Sequence, residues 1–257
     1  MAGRVVLATE NLKKHFGGVK AVDGVSIQIR EGEFVGLIGP NGSGKSTLFN
    51  VISGIYKPTE GKIYYRGKRI DGLKPHEIFR MGLVRGFQVP RLWRGLTVVE
   101  NLMVPPKHQR GENPLVALVR RLWTPQERKL GMKALSILSD HELLHVSLNW
   151  ADSISGGQMK LTDISRALMG EPSMLLLDEP TAGVAPRLAR DIFRTLERLR
   201  REQGITLFVI EHRLEVLFDH VDRVIVMHQG KVLTEGTPEE VASDPRVVEA
   251  YLGEPVA

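Results

Sequence analysis

The sequence predicts an α/β protein: a largely parallel sheet covered by helices, with a β-rich beginning and a helical stretch inserted in the middle. Three observations carry this. An apolar β-rich run over 34–38 runs straight into the glycine-rich segment GPNGSGKST, with a helix pattern behind it. Two more short apolar runs, over 174–177 and 206–210, flank a long helical pattern over 186–203. Fully apolar runs of this length suit parallel strands buried on both faces. Alternating strand and helix then argues for a parallel sheet with covering helices. Between these parts, residues of roughly 90–165 carry helical periodicity instead.

Each element has its own signal. Residues 5–7 and 26–29 are β-rich and punctuated by glycines. A helix over about 45–52 is closed by Gly54, and a short strand over 62–65 sits between Gly61 and Gly67. Thr124-Pro125-Gln126-Glu127 offers a capping box that opens a helix running to about Leu144. Within it Leu130, Ala134, Ile137 and Leu138 recur at helical spacing. A helix from Gly157 to near Gly170 follows. Strands over 223–227 and 231–235 flank the turn pair Gln229-Gly230. Thr237-Pro238-Glu239-Glu240 repeats the capping-box pattern before a C-terminal helix.

Composition sets the outer bounds. The chain has 257 residues, 42% of them apolar, enough for a substantial core. It has no cysteine, which excludes disulfides, a thiol nucleophile and Cys-based zinc sites. No apolar run is long enough to span a bilayer, and the first residues lack a signal-peptide core. The cytosol is the expected compartment. The formal net charge of +5 reads as modest and spread along the chain, an ordinary soluble surface.

The chemistry begins at Gly39, Pro40, Asn41, Gly42, Ser43, Gly44, Lys45 and Ser46, which fit GxxxxGK[ST]. Glycines let the backbone curl so that several N–H groups face one phosphate chain, and the following helix adds its positive end. Lys45 is placed to reach the β- and γ-phosphates, and the Ser46 hydroxyl to ligate Mg²⁺. Thr47 continues the helix start. The loop alone indicates a nucleoside triphosphate and leaves kinases, GTPases, helicases and transporters open. The strand over 174–177 delivers Asp178 toward the metal, and Glu179 is the candidate general base for an attacking water.

Ser155-Gly156-Gly157-Gln158, within ISGGQMKLTDISRAL, narrows the choice. Lying between the phosphate loop and the Asp178 strand, it resembles the signature motif of the ABC ATPases. The resemblance implies an ABC-type P-loop NTPase α/β core with an N-terminal antiparallel β-subdomain and an inserted α-helical subdomain. Residues 1–257 then form a single nucleotide-binding domain, with 1–90 and 166–257 as core and β-subdomain and 91–165 as the helical signature subdomain. It implies ATP and Mg²⁺ as ligands. Gln88, in RGFQVPRLW, is similar to the glutamine that contacts metal or water and senses the membrane partner. His212, in VIEHRLEVL, is similar to the histidine that holds the γ-phosphate, and with Glu179 and Lys45 completes the catalytic set. Phe16, in HFGGVKAVDGVS, falls where the family stacks an aromatic on adenine; core packing is the alternative. The family pattern AGLDP reads Ala182-Gly183-Val184-Ala185-Pro186 here, so Ala185 offers no polar side chain to link two ATP sites.

The resemblance extends over nearly the whole chain. GFQVPRLWRGLTVVENLMV and EGTPEEVASDPRVVEAYLGE resemble the ATP-binding subunits of branched-chain amino acid importers. That implies transmembrane permease subunits, a second ATP-binding subunit (a copy or a paralogue) and, indirectly, an external binding protein. It implies a peripheral position on the cytoplasmic membrane face, with no nucleic acid. The ATPases of lipopolysaccharide export have similar C-termini and remain an alternative. A soluble ABC ATPase acting on nucleic acid is a further one, without the coiled coils or zinc modules common there. Trp93 reads equally as a permease anchor or as core. Leu115, Leu118, Val119 and Leu122, beside Arg120 and Arg121, form a short basic amphipathic stretch; packing on the protein's own helices is the expectation, with contact to a membrane surface as the alternative.

Overall fold

The computed structural model describes residues 3–86 and 89–252. The chain begins with β1 (Val5–Phe16), β2 (Val19–Val25), β3 (Gln28–Arg30) and β4 (Phe34–Ile38), then α1 (Lys45–Ile52). Next come β5 (Glu60–Tyr65), β6 (Lys68–Arg69), α2 (Pro75–Arg80) and β7 (Leu83–Gly86). A helical stretch follows: α3 (Val98–Met103), α4 (Pro114–Ala117), α5 (Arg120–Asp140) and α6 (Gly156–Met169). The chain then returns through β8 (Met174–Asp178), α7 (Pro186–Gln203), β9 (Thr206–Ile210) and α8 (Leu214–Phe218). It closes with β10 (Arg223–His228), β11 (Lys231–Gly236), α9 (Pro238–Ala242) and α10 (Pro245–Leu252).

Two sheets result. One is antiparallel, in the order β2-β1-β5-β6 with β3 also on β1. The other has the order β11-β10-β4-β9-β8-β7, parallel except for the terminal hairpin. Every residue of β4, β8 and β9 is buried, as their unbroken apolar runs require. One apolar core joins the antiparallel sheet and α1 to one face of the parallel sheet, with Phe49 against Phe208 at 4.9 Å. A second core packs α7 on the other face, with Phe34 stacked on Phe193 at 5.9 Å. A third, around Val98, Leu102, Ala134 and Leu138, is shared by α3, α5 and α6. Helix α6 belongs to the last two cores, and so fastens the helical stretch to the sheet.

Several local expectations needed revision. The first strand runs on from Leu7 to Phe16, and β2 pairs with it where no strand was expected. Register shifts in that pairing interrupt the alternation that would have revealed it. Helix α5 starts at Arg120, so the Thr124 box does not cap it. The Thr124 hydroxyl donates to the Arg120 carbonyl at 2.8 Å, and Pro125 sits inside the helix, close enough to its start to cost one ladder bond. The helix ends at Asp140, short of Leu144. By contrast, the Thr237 box is formed, but its helix is one short turn followed by a separate α10.

One histidine is locked into this packing. His141, at the end of α5, is buried, with its Nδ1 2.6 Å from the Ser165 hydroxyl of α6. Burial, helped by the Arg198 charge, holds the imidazole down at about 4. Between that value and the unfolded value of about 6.5 the unfolded chain binds the extra proton, so stability rises with pH there. The contribution is complete above pH 6.5 and is lost as pH falls toward 4. Its full size is about 3 kcal/mol. His141→Asn, which removes the titrating group, is therefore expected to flatten the pH 4–6.5 dependence of urea unfolding relative to the parent.

Candidate active site

The parallel register sets where the site forms. Leu37 lies opposite Ile210, and Ile210 opposite Asp178, so β4, β9 and β8 end at one edge. Loops leaving that edge carry Gly39, His212 and Glu179 side by side, the usual place for a ligand on such a sheet.

The phosphate loop turns from β4 into α1. Gly39 has φ 146° and Gly44 φ 102°. A β-carbon on either would run into a backbone carbonyl, of Met227 and Ala21 respectively, so only glycine fits. Ser43 and Lys45 are buried, while Asn41, Gly42 and Ser46 are exposed. Lys45 Nζ donates to the Gly39 and Pro40 carbonyls at 2.7 and 2.8 Å. The ammonium therefore lies against the loop itself.

Ser46 and Asp178 line one open cleft of about 930 Å³. Asp178 is buried, and burial, opposed by Arg85, pushes its carboxyl up from the usual range. Its Oδ2 accepts from Arg85 at 3.2 Å, and Arg85 also donates to Asn50 at 2.6 Å and Ser53 at 3.1 Å. Asp178 Oδ1 is buried and accepts no hydrogen bond among the described residues. An oxygen so placed, near an exposed hydroxyl, suits a hard cation that takes oxygen ligands. Among the described residues no cluster of three or more His, Asp or Glu forms a self-contained metal cage. The donor set thus fits Mg²⁺ shared with phosphates.

Glu179 follows with φ 49°, rare for a residue with a side chain. Its N–H donates to Ile210 at 2.9 Å, and its carbonyl accepts from Lys160 Nζ at 3.1 Å and from Ala182 N–H at 3.1 Å. These bonds hold the strained backbone and aim the side chain at His212, whose Nε2 is 2.9 Å from Glu179 Oε1. Behind the pair, the buried Glu211 accepts from the Thr181 N–H and hydroxyl and from the His212 N–H. The loop after Glu179 and the loop bearing His212 are thereby tied into one piece.

The remaining predicted residues are distributed differently. Ser155 caps α6, its hydroxyl accepting from Gln158 N–H while Gln158 Oε1 accepts from Ser155 N–H. These residues do not line the cleft that holds Ser46 and Asp178. Phe16 is 43% exposed, which removes the core-packing alternative. It meets Tyr56 edge to face at 5.4 Å, with Lys14 Nζ 4.9 Å from its ring. Trp93 is 59% exposed and is likewise not core. The buried Asn101 fixes its backbone through bonds at 2.7 and 3.1 Å. Gln88 lies outside the described residues.

Sequence reading missed Tyr56, Arg85, Lys160, Glu211 and Tyr251. Lys160 and Glu211 stand inside quoted motifs, next to residues that were singled out, and their polar side chains in apolar surroundings were the available signal. Tyr251 had none: α10 brings its hydroxyl under the phosphate loop, where it accepts from the Gly39 N–H at 2.8 Å.

Comparison with known proteins decides what this edge belongs to. A family model described as ABC transporter matches residues 22–182. A second, described as branched-chain amino acid ATP-binding cassette transporter, matches residues 231–257. The chain belongs to the ATP-binding subunits of ABC transporters. It is 47% identical over 97% of its length to a "probable branched-chain amino acid transport ATP-binding protein" of Methanocaldococcus jannaschii, covering 98% of that protein. To a high-affinity counterpart in Salmonella typhimurium it is 40% identical, with the same two coverages. Among solved structures, a nucleotide-free ATP-binding cassette matches with TM-score 0.85 and 45% identity, over 97% of this chain and all of that one. The ADP conformation of an ATP-binding cassette matches with TM-score 0.83 and 45% identity, over 97% and 99%. As an ABC ATPase, the chain hydrolyses ATP to energise a membrane transporter. Among the described residues no helix is long and apolar enough to cross a membrane.

The Gly39 N–H is buried, and removing its acceptor leaves it unsatisfied, a cost of about 1–3 kcal/mol. Tyr251→Phe is expected to lose that much stability in urea unfolding; an unchanged midpoint and slope would exclude Tyr251 as a support of the phosphate loop.

Proposed function

We propose that the cargo is branched-chain amino acids, moved inward through a membrane permease that this chain drives together with a second ATP-binding subunit. The cargo reading is supported by the C-terminal family match and by the names of the relatives. The observation that carries the hydrolytic reading is the 2.9 Å contact of Glu179 with His212 at the sheet edge that also presents the phosphate loop.

In this reading the N–H groups of residues 39–46 and the α1 N-terminus surround the phosphates. Lys45 leaves the Gly39 and Pro40 carbonyls for the β- and γ-phosphates. Phe16, propped by Tyr56, stacks on the base, a contact worth about 1–3 kcal/mol. Ser46 and Asp178, with Gln88, would hold Mg²⁺, which would supply neutralising charge to the phosphates. Glu179 takes a proton from the attacking water, and His212 orients Glu179 and the γ-phosphate. Ser155, Gly156, Gly157 and Gln158 serve the ATP of the other subunit. Their position outside the Ser46–Asp178 cleft agrees with a site finished by a second copy or a paralogue. A dimeric cassette bound to ADP and Pi, 30% identical with TM-score 0.75 over 90% of this chain and 98% of that one, supports the pairing of two such subunits. Exposed Val89, Trp93 and Val104 rim the cleft, and we assign that rim to the permease.

Two measurements test this. Glu179→Gln is expected to keep ATP binding and to lower hydrolysis by about 10²–10⁴-fold, the usual general-base contribution; near-parent turnover would remove Glu179 from its role. With the permease and binding protein in membranes, leucine, isoleucine or valine is expected to stimulate ATPase activity. Absence of stimulation by all three would refute the cargo.

A further inference from the structure

The segment between α3 and α5 inverts the usual arrangement of a surface loop. Leu115 and Leu118 are 78% and 83% exposed, and Val119 and Leu122 are each 48% exposed. The expectation that they pack on the protein's own helices is therefore wrong. Leu115 and Leu118 are three residues apart, as are Val119 and Leu122, the spacing of neighbours on one helical face.

Polar side chains turn inward and hold the segment in shape. Gln109 donates to the carbonyls of Met103, Val104 and Pro106 at 3.1–3.2 Å. Gln126 accepts from Arg110 N–H at 2.7 Å and donates to the His108 carbonyl at 3.0 Å. Trp123 Nε1 donates to the Ala117 carbonyl at 3.1 Å. Asn113 caps α4. The apolar residues are thus displayed by a braced platform.

Charge distribution identifies what the platform faces. Residues 104–133 contain seven Lys and Arg against two Glu, a surplus of five. The rest of the chain sums to zero only because a surplus of eight over residues 1–103 offsets a deficit of eight over residues 134–257, so the +5 is not spread evenly along the sequence as expected, and residues 104–133 are the more densely basic stretch. Arg120, Arg121, Arg128 and Lys129 are exposed. Lys107 and Lys133 instead turn back, to the Arg80 carbonyl and to Glu171. Exposed leucines bordered by arginines match a bilayer surface, with apolar side chains among the acyl chains and cations at anionic headgroups.

We infer that the platform over residues 113–122 is a membrane-surface anchor that binds anionic phospholipid directly, next to the permease. Its position relative to the membrane rests on assigning the rim of Val89, Trp93 and Val104 to the permease, since Val104 leads into this segment. Binding to lipid alone does not.

Flotation of the purified chain with vesicles, in the absence of any permease, tests it. Vesicles of phosphatidylcholine with about one third phosphatidylglycerol are expected to carry the protein at low salt, and vesicles of phosphatidylcholine alone to carry little. Raising the salt to about 0.5 M should weaken the binding by screening. Arg120→Gln with Arg121→Gln should reduce partitioning about 30-fold, from roughly fivefold per charge near an anionic surface. Leu115→Ser with Leu118→Ser should reduce it at least tenfold while ATP binding by the purified chain stays at the parent level, which controls for folding. No flotation with anionic vesicles, or flotation that both double variants leave intact, would overturn the proposal. If lipid binding is absent and the leucine variant loses assembly with the permease, the platform is a protein contact and the anchor is refuted. Failure of branched-chain amino acids to stimulate ATPase would leave the vesicle result standing.

Discussion

The parallel pairing of β4, β9 and β8 is the constraint on which the site depends. Three strands with every residue buried, in fixed register, end at one edge. That edge sets the phosphate loop, His212 and Glu179 as neighbours, although well over a hundred residues of chain separate the loop from the other two. A slip of one residue in a parallel strand would turn its buried side chains to the opposite face. With cores on both faces, such a slip would break packing throughout the sheet, so the geometry of the edge inherits the stability of the interior.

The edge is then refined by polar groups that resist burial unless paired. Glu211 binds the backbones on both sides of the Glu179–His212 pair, and Lys160 holds the strained Glu179 carbonyl. Burial disfavours the Lys160 ammonium, offset by nearby carboxylates. Asp178 is similarly pulled between burial and Arg85. Such opposed pressures concentrate where a protein must hold charge ready for a ligand.

Much of the sheet was legible because a fully buried strand writes an unbroken apolar run. The limits expected for α1, α7 and β9 agree with those found. The antiparallel sheet was less legible, since β1 and β2 alternate irregularly across bulges. Motif residues were readable wherever chemistry demands a residue type at fixed spacing, as at Lys45, Asp178 and Ser155. Partners that meet only through folding were not: Tyr56 reaches Phe16 from the loop after α1, and Tyr251 reaches Gly39 from the end of the chain. The basic surplus of residues 104–133 was countable in the sequence. A net charge summed over the whole chain hides it, because acidic residues over 134–257 offset basic ones elsewhere.

Gly157 has a consequence of its own. A β-carbon there would strike Leu188 Cδ2, the end of a flexible side chain at the beginning of α7, so a methyl group on α6 would require Leu188 to turn aside. Helix α6 begins at the predicted signature residues, and α7 directly follows the loop behind Glu179. The Leu188 side chain bridges the two helix starts. An inactive Gly157 variant would therefore be ambiguous between two defects, loss of the role proposed for the signature residues and a displaced Leu188 on the helix that follows Glu179. The start of α6 and the loop behind Glu179, far apart in the chain, are thus linked within one subunit through a single side chain.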